Sequence, residues 1–432
     1  MSPKSPAFLI LFGVSLIASA GNMALQAVLP NIGRAFGMAD TLVVAAFAVS
    51  ALMWTLTSPV WARLSDRLGR KKVILIGLGG FSASMAGFGF AATSGLEGWM
   101  GPVGAFVLMA AARTIYGVFG SAAPIASQAY VADRTTGPER TQAMSLLASA
   151  QGLGTVLGPT LAPLLILPIV GLAGPMYAFS LFGAVVLWIV WVKLPSGDVV
   201  RTPAPAGQSE RRGGGLWKDP RVRDFLLYGL LVTGAQAINI SVLGFHIIDE
   251  MAETGMTATQ AQPFIAVAMF AGAAGTLMVQ WGLIPLLKIE PRDLMRWGAG
   301  LALAGNLISI AAPGFFGVVV GYAVVSMGLG FARPGFTAGS SLAVGPHEQG
   351  AVAGLIMALA GLSFLAPPVI GVALYGLAEW APFAANGLLM VAALGLCLIS
   401  TPLKARARDI AEADALALES VPASQPGPEG GR

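Results

Sequence analysis

The chain reads as an all-α, polytopic membrane protein of twelve transmembrane helices in two six-helix halves, and three observations predict it. First, 56% of its 432 residues are hydrophobic and 11% are charged, with a mean hydropathy of +0.75, whereas soluble globular chains carry about 25% charged residues. Second, the apolar residues come in runs near the ~20 needed to cross a bilayer as a helix. Third, these runs fall into two sets of six on either side of one long polar stretch. The 56 glycines and 28 prolines agree with a helical membrane protein. Small residues let helices approach closely there, and neighbouring helices or water satisfy the backbone groups that proline frees.

Charges and turn residues delimit the spans in order. Span 1, 7–29, follows Lys4; its "ASA" at 18–20 imitates a secretory cleavage site, but the apolar run continues to Leu29, long enough to cross. Span 2, 41–62, starts after Asp40 and stops at a basic cluster, and span 3, 73–93, starts beyond Lys72. Span 4, 102–131, runs from Pro102 to Asp133 and Arg134; span 5, 142–166, begins after Arg140; span 6, 175–194, ends at Lys193. Span 7, 224–248, ends at Asp249 and Glu250, and span 8, 261–287, ends at Lys288. Span 9 is expected at 293–312, span 10 at 315–341, span 11 at 350–376 and span 12 at 380–402. The fourth, eighth and tenth are long enough to tilt or project from the bilayer.

The basic residues set the orientation. Lys4, the 63–72 cluster, Arg134, Arg140, Lys193 through Arg223, Lys288, Arg292, Arg296 and the basic tail all fall on one side. The other side holds only Arg34, among the acids Glu97, Asp249, Glu250, Glu253 and Glu379. The positive-inside rule therefore puts both termini in the cytoplasm. The polar stretch 195–223, with "RTPAPAGQSERRGGG", reads as a flexible cytoplasmic linker between an N-terminal half, 1–194, and a C-terminal half, 224–402. The tail 403–432 ends "PASQPGPEGGR" and is expected to be disordered. The single Cys397 excludes an intrachain disulfide. The formal charge of +4 is accounted for by loop placement, so nucleic acid is not an expected partner.

The halves carry traces of a repeat. "GPERTQAMSLLASAQGLGTVLGPTLAP" from Gly137 aligns without gaps on "GPHEQGAVAGLIMALAGLSFLAPPVIG" from Gly345, setting Pro159 on Pro367 and Gly158 on Ala366. "WARLSDRLGRKKVILIG" from Trp61 resembles "WGLIPLLKIEPRDLMRWG" from Trp281, whose copy keeps the bases and lacks the counterpart of Asp66.

Three motifs stand out. The loop after span 2 has Leu64, Asp66, Arg67, Gly69, Arg70 and Lys71. Span 4 has "RTIYGVFGSAA", led by Arg113, and span 5 has "GTVLGPTLAP" with Gly154, Gly158 and Pro159. In these motifs the chain resembles the major facilitator superfamily, specifically its twelve-span drug/proton antiporters of the tetracycline and multidrug efflux groups. The first matches the family pattern G-x-L-x-D-R-x-G-R-[RK] with Ala62 for the leading glycine. The third matches G-x-x-x-G-P-x-x-G-G with Ala162 and Pro163 for the final glycines, which weakens its reading as an exporter mark. "AYVADRTTGPER" after span 4 also resembles those groups.

The resemblance implies that Asp66 engages neighbouring helix ends and loop bases in one conformation and releases them in another, a latch for alternating access. Charge chemistry allows this role, since positive-inside targeting alone would require no acid in the loop. Gly69 suits the tight turn, and the bases would lie beside anionic lipid. The resemblance further implies that spans 1, 4, 7 and 10 line a central cavity.

Ionisable residues inside a membrane are costly, so Arg113 and Arg333 are candidate binding or coupling groups; the alternative for Arg333 is snorkelling to the surface. Asn22 and Gln26 share a face of span 1, Gln236 and Asn239 share a face of span 7, and Tyr116 lies one turn from Arg113. Each could bind a solute or join helices. Gln151 is a weaker candidate. His246 and His347 read as structural, and Phe12, Trp54 and Phe119 are candidate cavity aromatics. No Asp or Glu lies near the centre of a span. There is no phosphate loop, zinc spacing or nucleophile elbow, so neither an enzyme nor an ATP-driven pump is expected, and no cofactor or metal.

The expected function is secondary active transport of a small organic solute by a monomer, outward and coupled to protons. Proton-coupled uptake of a metabolite is the alternative. A sensor on the same fold is disfavoured, because the linker and tail are short for a signalling output. Two arginines without a central acid favour an anionic or zwitterionic amphiphile over a cation. Proton coupling would then run through Asp40, Asp133, a water chain or the solute's own acid.

Overall fold

The computed structural model describes residues 5–135, 137–196, 217–287, 289–312, 314–344, 349–400 and 403. Most of the expected linker, His347 and the tail beyond Leu403 lie outside the described residues. The helices are α1 (Pro6–Ala35), α2 (Asp40–Leu68), α3 (Arg70–Leu96), α4 (Pro102–Ala132), α5 (Gly137–Leu161) and α6 (Gly174–Lys193). They continue with α7 (Pro220–Glu253), α8 (Gln262–Leu287), α9 (Pro291–Ala311) and α10 (Phe315–Leu342). The last are α11, which is Gln349–Ser363 resumed as Pro367–Leu377, and α12 (Ala381–Ile399). Eleven of these are long and apolar enough to cross a membrane, and α5 lies where the remaining span is expected.

Proline opens many of them. Pro6, Pro102, Pro175, Pro220, Pro263, Pro291, Pro367 and Pro382 each occupy the first turn of a helical segment, where a missing N–H costs nothing. Ser5 caps α1 through Phe8 N–H at 3.3 Å, and Asp219 caps α7 through Arg221 N–H at 2.9 Å.

Span 5 corrects the sequence reading. The helix was expected to run to 166, but it ends at Leu161, and Pro163–Leu165 form a separate 3₁₀ turn. Pro163 cannot donate to the carbonyl of Pro159, and its ring would crowd that carbonyl in a continuing helix.

Packing repeats between the halves. Helices α1–α5, α1–α6, α2–α4, α3–α4 and α3–α6 pair in the first; α7–α11, α7–α12, α8–α10, α9–α10 and α9–α12 pair in the second. The aligned prolines take equivalent places: the Gly158–Pro159 turn lies on α1, and Pro367 lies 3.8 Å from where a Cβ on Gly234 of α7 would stand.

Where the halves meet, α1, α2 and α5 touch α7, α8 and α11. Thr55 of α2 meets Gly361 of α11 at mid-helix, and Pro30 meets Gly244 further along. Val44 packs with Ile238, Val242, Phe245 and Val372, and Ala27 packs with Leu243, Ile247 and Ile265. Buried Asn31 donates to Gln262, whose Nε2 donates to the Ala27 carbonyl at 3.0 Å. These contacts run from mid-helix to the face bearing Arg34, Asp40 and Asp249, here called the acidic face. The face with the Asp66 loop is the basic face. The halves are therefore closed against each other at the acidic face.

Candidate functional site

Arg113 sits on α4, 11 residues in from Pro102, and is 3% exposed. Its Nη2 donates to Asn22 Oδ1 of α1 at 3.1 Å. The guanidinium carbon lies 4.2 Å from the ring centre of Phe47 on α2 and 4.5 Å from that of Tyr116. Trp54 and Phe81 pack on Tyr116, with centroids at 5.5 and 6.2 Å. Arg113 Nε and Nη1 are buried and have no hydrogen-bond partner among the described residues.

This arrangement is lopsided energetically. Two ring faces can offset about 2 kcal/mol or more of a desolvated cation's cost, but they accept no in-plane N–H. A buried charge with two idle donors is expensive unless something pairs with it. A carboxylate or phosphate would supply the complement, since its oxygens match a guanidinium fork in two parallel bonds.

The other sequence candidates divide. Gln26 is half-buried one turn from Asn22 on α1. Gln236 is half-buried on α7, while Asn239 is buried and donates to Ala235 O of its own helix at 3.2 Å. Of the three candidate aromatics, Trp54 adjoins the arginine site. Phe119 pairs with Trp61 at 5.7 Å, and Phe12 packs with the cluster of Trp61, Leu78 and Tyr130. At Gln151 the backbone carbonyl accepts from Ser19 Oγ at 2.8 Å.

Arg333 stands apart from Arg113. Arg113's partners all come from α1, α2 and α4, and Arg333 is exposed on α10. The reason is register. At 1.5 Å per residue, Arg113 lies about 16 Å along α4 from its acidic-face end, and Arg333 about 27 Å along α10.

At the basic face Gly69 joins α2 to α3 with φ of +93°, a conformation that favours glycine. Arg70 bonds Asp66 at 2.6 Å, Asp133 at 2.9 Å and Ser65 Oγ at 3.0 Å, fastening the loop to the end of α4. The Asp66 side chain is 65% exposed. Arg67 is exposed and Lys71 half-exposed. Arg134 lies over the Tyr130 ring at 3.7 Å. In the second half Asp293 and Glu290 lie near Arg292, and Asp293 near Arg296; there the acids sit at the start of α9 instead of the end of α8.

Gly154 and Gly158 lay α5 directly on the backbone of α1. A Cβ on Gly154 would stand 2.7 Å from Leu16 O, and one on Gly158 would strike the Ala20 carbonyl and stand 2.9 Å from Ala24 N. Pro159 is buried beside them. The contact brackets Asn22, so the motif backs the stretch of α1 that holds Arg113's partner.

Sequence reasoning missed one cluster. Arg34 donates to both Asp40 and Asp249, with Nη2 at 2.9 Å from each. Tyr375 OH donates to Asp249 Oδ2 at 2.7 Å, and His246 Nδ1 lies 3.3 Å from the same hydroxyl. The signal was present: Arg34 was the lone base on its side of the membrane, among acids.

Residues 11–289 match the family model described as the Major Facilitator Superfamily. The chain belongs to the major facilitator superfamily. Like other superfamily members it is a membrane transporter and not an enzyme. It is 25% identical to Multidrug resistance protein 2 of Bacillus subtilis (strain 168), over 91% of this chain and 94% of that one. It is also 25% identical to the class C Tetracycline resistance protein of Escherichia coli, over 92% and 96%. Among solved structures, a bacterial homolog of the human lysosomal transporter Spinster, in an inward-facing and occupied conformation, shares the superfamily fold. The TM-score is 0.65 at 15% identity, covering 97% of this chain and 98% of that one.

Proposed function

We propose that this superfamily transporter is a proton-coupled exporter of a small amphiphilic solute that carries a carboxylate or phosphate, alone or in a zwitterion. The observation that carries the reading is Arg113, a buried guanidinium between aromatic faces, with two N–H groups that find no partner and no carboxylate against it among the described residues. An anionic headgroup satisfies the fork, and the solute's apolar part lies along Phe47, Tyr116 and Trp54. A permanent monocation would meet like-charge repulsion from the buried guanidinium. The outward direction is supported by the span 5 motif and by relatives named for multidrug and tetracycline resistance. In this reading the basic face lies in the cytoplasm of a bacterial inner membrane, and residues 1–194 and 224–402 rock as two bodies about the site.

The test is counterflow in proteoliposomes with an anionic amphiphile and a cationic dye, under pH gradients of either sign. Preferential counterflow of the anion is expected, and a proton gradient directed into the cytoplasmic compartment should drive it out of that compartment. Robust transport of the cation alone would refute the substrate class, and accumulation in the opposite direction would show proton-coupled uptake instead.

Within this reading the Asp66 loop stabilises alternate arrangements of the basic face, its acid meeting Arg70 in the one described. Asp66→Asn should keep the protein folded and inserted while lowering the transport rate by about tenfold or more, since a charge-assisted contact present in one state is lost. Normal counterflow by that variant, at wild-type abundance, would remove the loop from the transport cycle.

A further inference from the structure

Arg113 is closed off in the described arrangement. Its two idle nitrogens, Nε and Nη1, are buried, although Asn22 and Gln26 beside it keep part of their surface exposed. The groups that cover the guanidinium differ in how firmly they are held. Tyr116 is buried and packs on the rings of Trp54 and Phe81. Asn22 lies on the stretch of α1 that meets α5 backbone to backbone at Gly154 and Gly158. Phe47 is only half-buried, and its neighbours are small: Ala46 and Ala48 along the chain and Ala51 one turn on. The backbone beneath it is fixed on both sides. Val44, one turn toward the acidic face, packs with Ile238 and Val242 of the other half. In the other direction a Cβ on Gly117 of α4 would stand 2.5 Å from Ser50 O, and Thr57 Oγ1 donates to Gly117 O at 3.3 Å. The ring therefore uncovers the guanidinium by turning about χ1, between the two rotamers a helix allows an aromatic side chain. Its direction is settled by the helix. The exposed Val49, Leu52 and Leu56 mark the lipid side of α2, and at about 100° per residue Phe47 lies opposite them. The exposed part of its ring borders the space between the halves.

We propose that Phe47 is a side-chain lid on Arg113 and sets the site's choice between amphiphilic and inorganic anions. The inference rests on the anion-binding reading above for its place in transport. A lone guanidinium open to the space between the halves would attract any small anion that enters there. The Phe47 ring, centred 4.2 Å from the guanidinium carbon, holds the cation by its π face and keeps water and small ions from the N–H groups. An inorganic anion must shed its hydration to reach those groups and gains nothing from the ring it displaces. An amphiphile offsets the displacement. Its apolar part packs on the turned ring and on Trp54, while its headgroup takes the freed N–H groups in charge-assisted bonds. Phe47 thereby selects the solute without touching its charge.

The test is the rate at which phenylglyoxal modifies Arg113 in the full-length protein in nanodiscs, read by peptide mass spectrometry. The exposed Arg333 of the same chain serves as the reference. In wild type Arg113 should react far more slowly than Arg333. Phe47→Ala should speed the Arg113 reaction about tenfold, as expected when a lid shut for about nine-tenths of the time is removed, and leave Arg333 unchanged. Phe47→Tyr keeps a ring of the same reach and should match wild type. Inorganic phosphate should slow the Arg113 reaction in Phe47→Ala and have no effect in wild type. The proposal is overturned if Arg113 reacts as slowly in Phe47→Ala as in wild type, or if phosphate affects the two proteins alike. It is also overturned if Phe47→Tyr behaves like Phe47→Ala, or if Arg333 speeds up in step with Arg113, since either outcome marks general loosening. These rates need no transported solute. A lid that passes every arm, in a protein whose counterflow prefers the cationic dye, would refute the anion reading and leave the lid standing.

Discussion

Arg113→Ala is expected to weaken counterflow of an anionic amphiphile by about a hundredfold at subsaturating solute, while the protein stays folded. Removing one partner of a desolvated charge pair costs about 2–5 kcal/mol, and a hundredfold corresponds to about 2.7 kcal/mol. The loss should appear in the apparent affinity, since the fork meets the solute in the bound state. Stability should change little. The variant loses two ring contacts and the Asn22 hydrogen bond, but also removes a buried charge with two unpaired N–H groups, and these contributions oppose each other. Arg113→Lys should lie between, because an ammonium keeps the charge and cannot reproduce the planar fork. Undiminished counterflow in Arg113→Ala would exclude the residue from binding. A fall of more than about 10 °C in Tm would mark it as a structural residue instead.

Gly158→Leu is expected to stop transport almost completely. Overpacking among mobile side chains costs about 1–3 kcal/mol, but here the added carbons meet the backbone of α1 at Ala20 and Ala24, which cannot turn aside. Helices α1 and α5 would have to separate, carrying Asn22 away from Arg113. Gly158→Ala should already slow the cycle, because its single Cβ strikes the Ala20 carbonyl. Gly152→Ala is the control: among the described residues no atom beyond its own helix backbone lies within 4 Å of its added Cβ, and its rate should match wild type. Wild-type rate and coupling in Gly158→Leu would mean that the close contact of α5 on α1 plays no part in transport.

Much of this is legible in the amino-acid sequence. The helical spans follow from local hydropathy, because every backbone polar group in a bilayer must be satisfied within its own segment. Arg113 was conspicuous because a charge inside an apolar run is costly, and Tyr116 was found beside it from the three-residue helical spacing. The Gly69 turn and the small face of Gly154 and Gly158 were readable from residue type. Phe47 was not, since nothing separates an aromatic that faces an arginine from one that faces lipid when only its apolar character is visible. The end of α5 was misplaced because the apolar run continues through Pro163 even though the helix does not.

The sequence by itself determined the membrane-spanning helical class, the family motifs and the segregation of basic from acidic loops, all of which depend on residues close together in the chain. Only the tertiary structure decided which groups are paired. Arg34 and Asp249 are 215 residues apart, and Asn31 and Gln262 are 231 apart. No local pattern links them; they meet because the two halves lean together at the acidic face. The same arrangement leaves Arg333 exposed on α10, while the packing of α1, α2 and α4 buries Arg113. Transfer free energy acts residue by residue and can be read along the chain, whereas pairing energy depends on the relative placement of helices far apart in the chain.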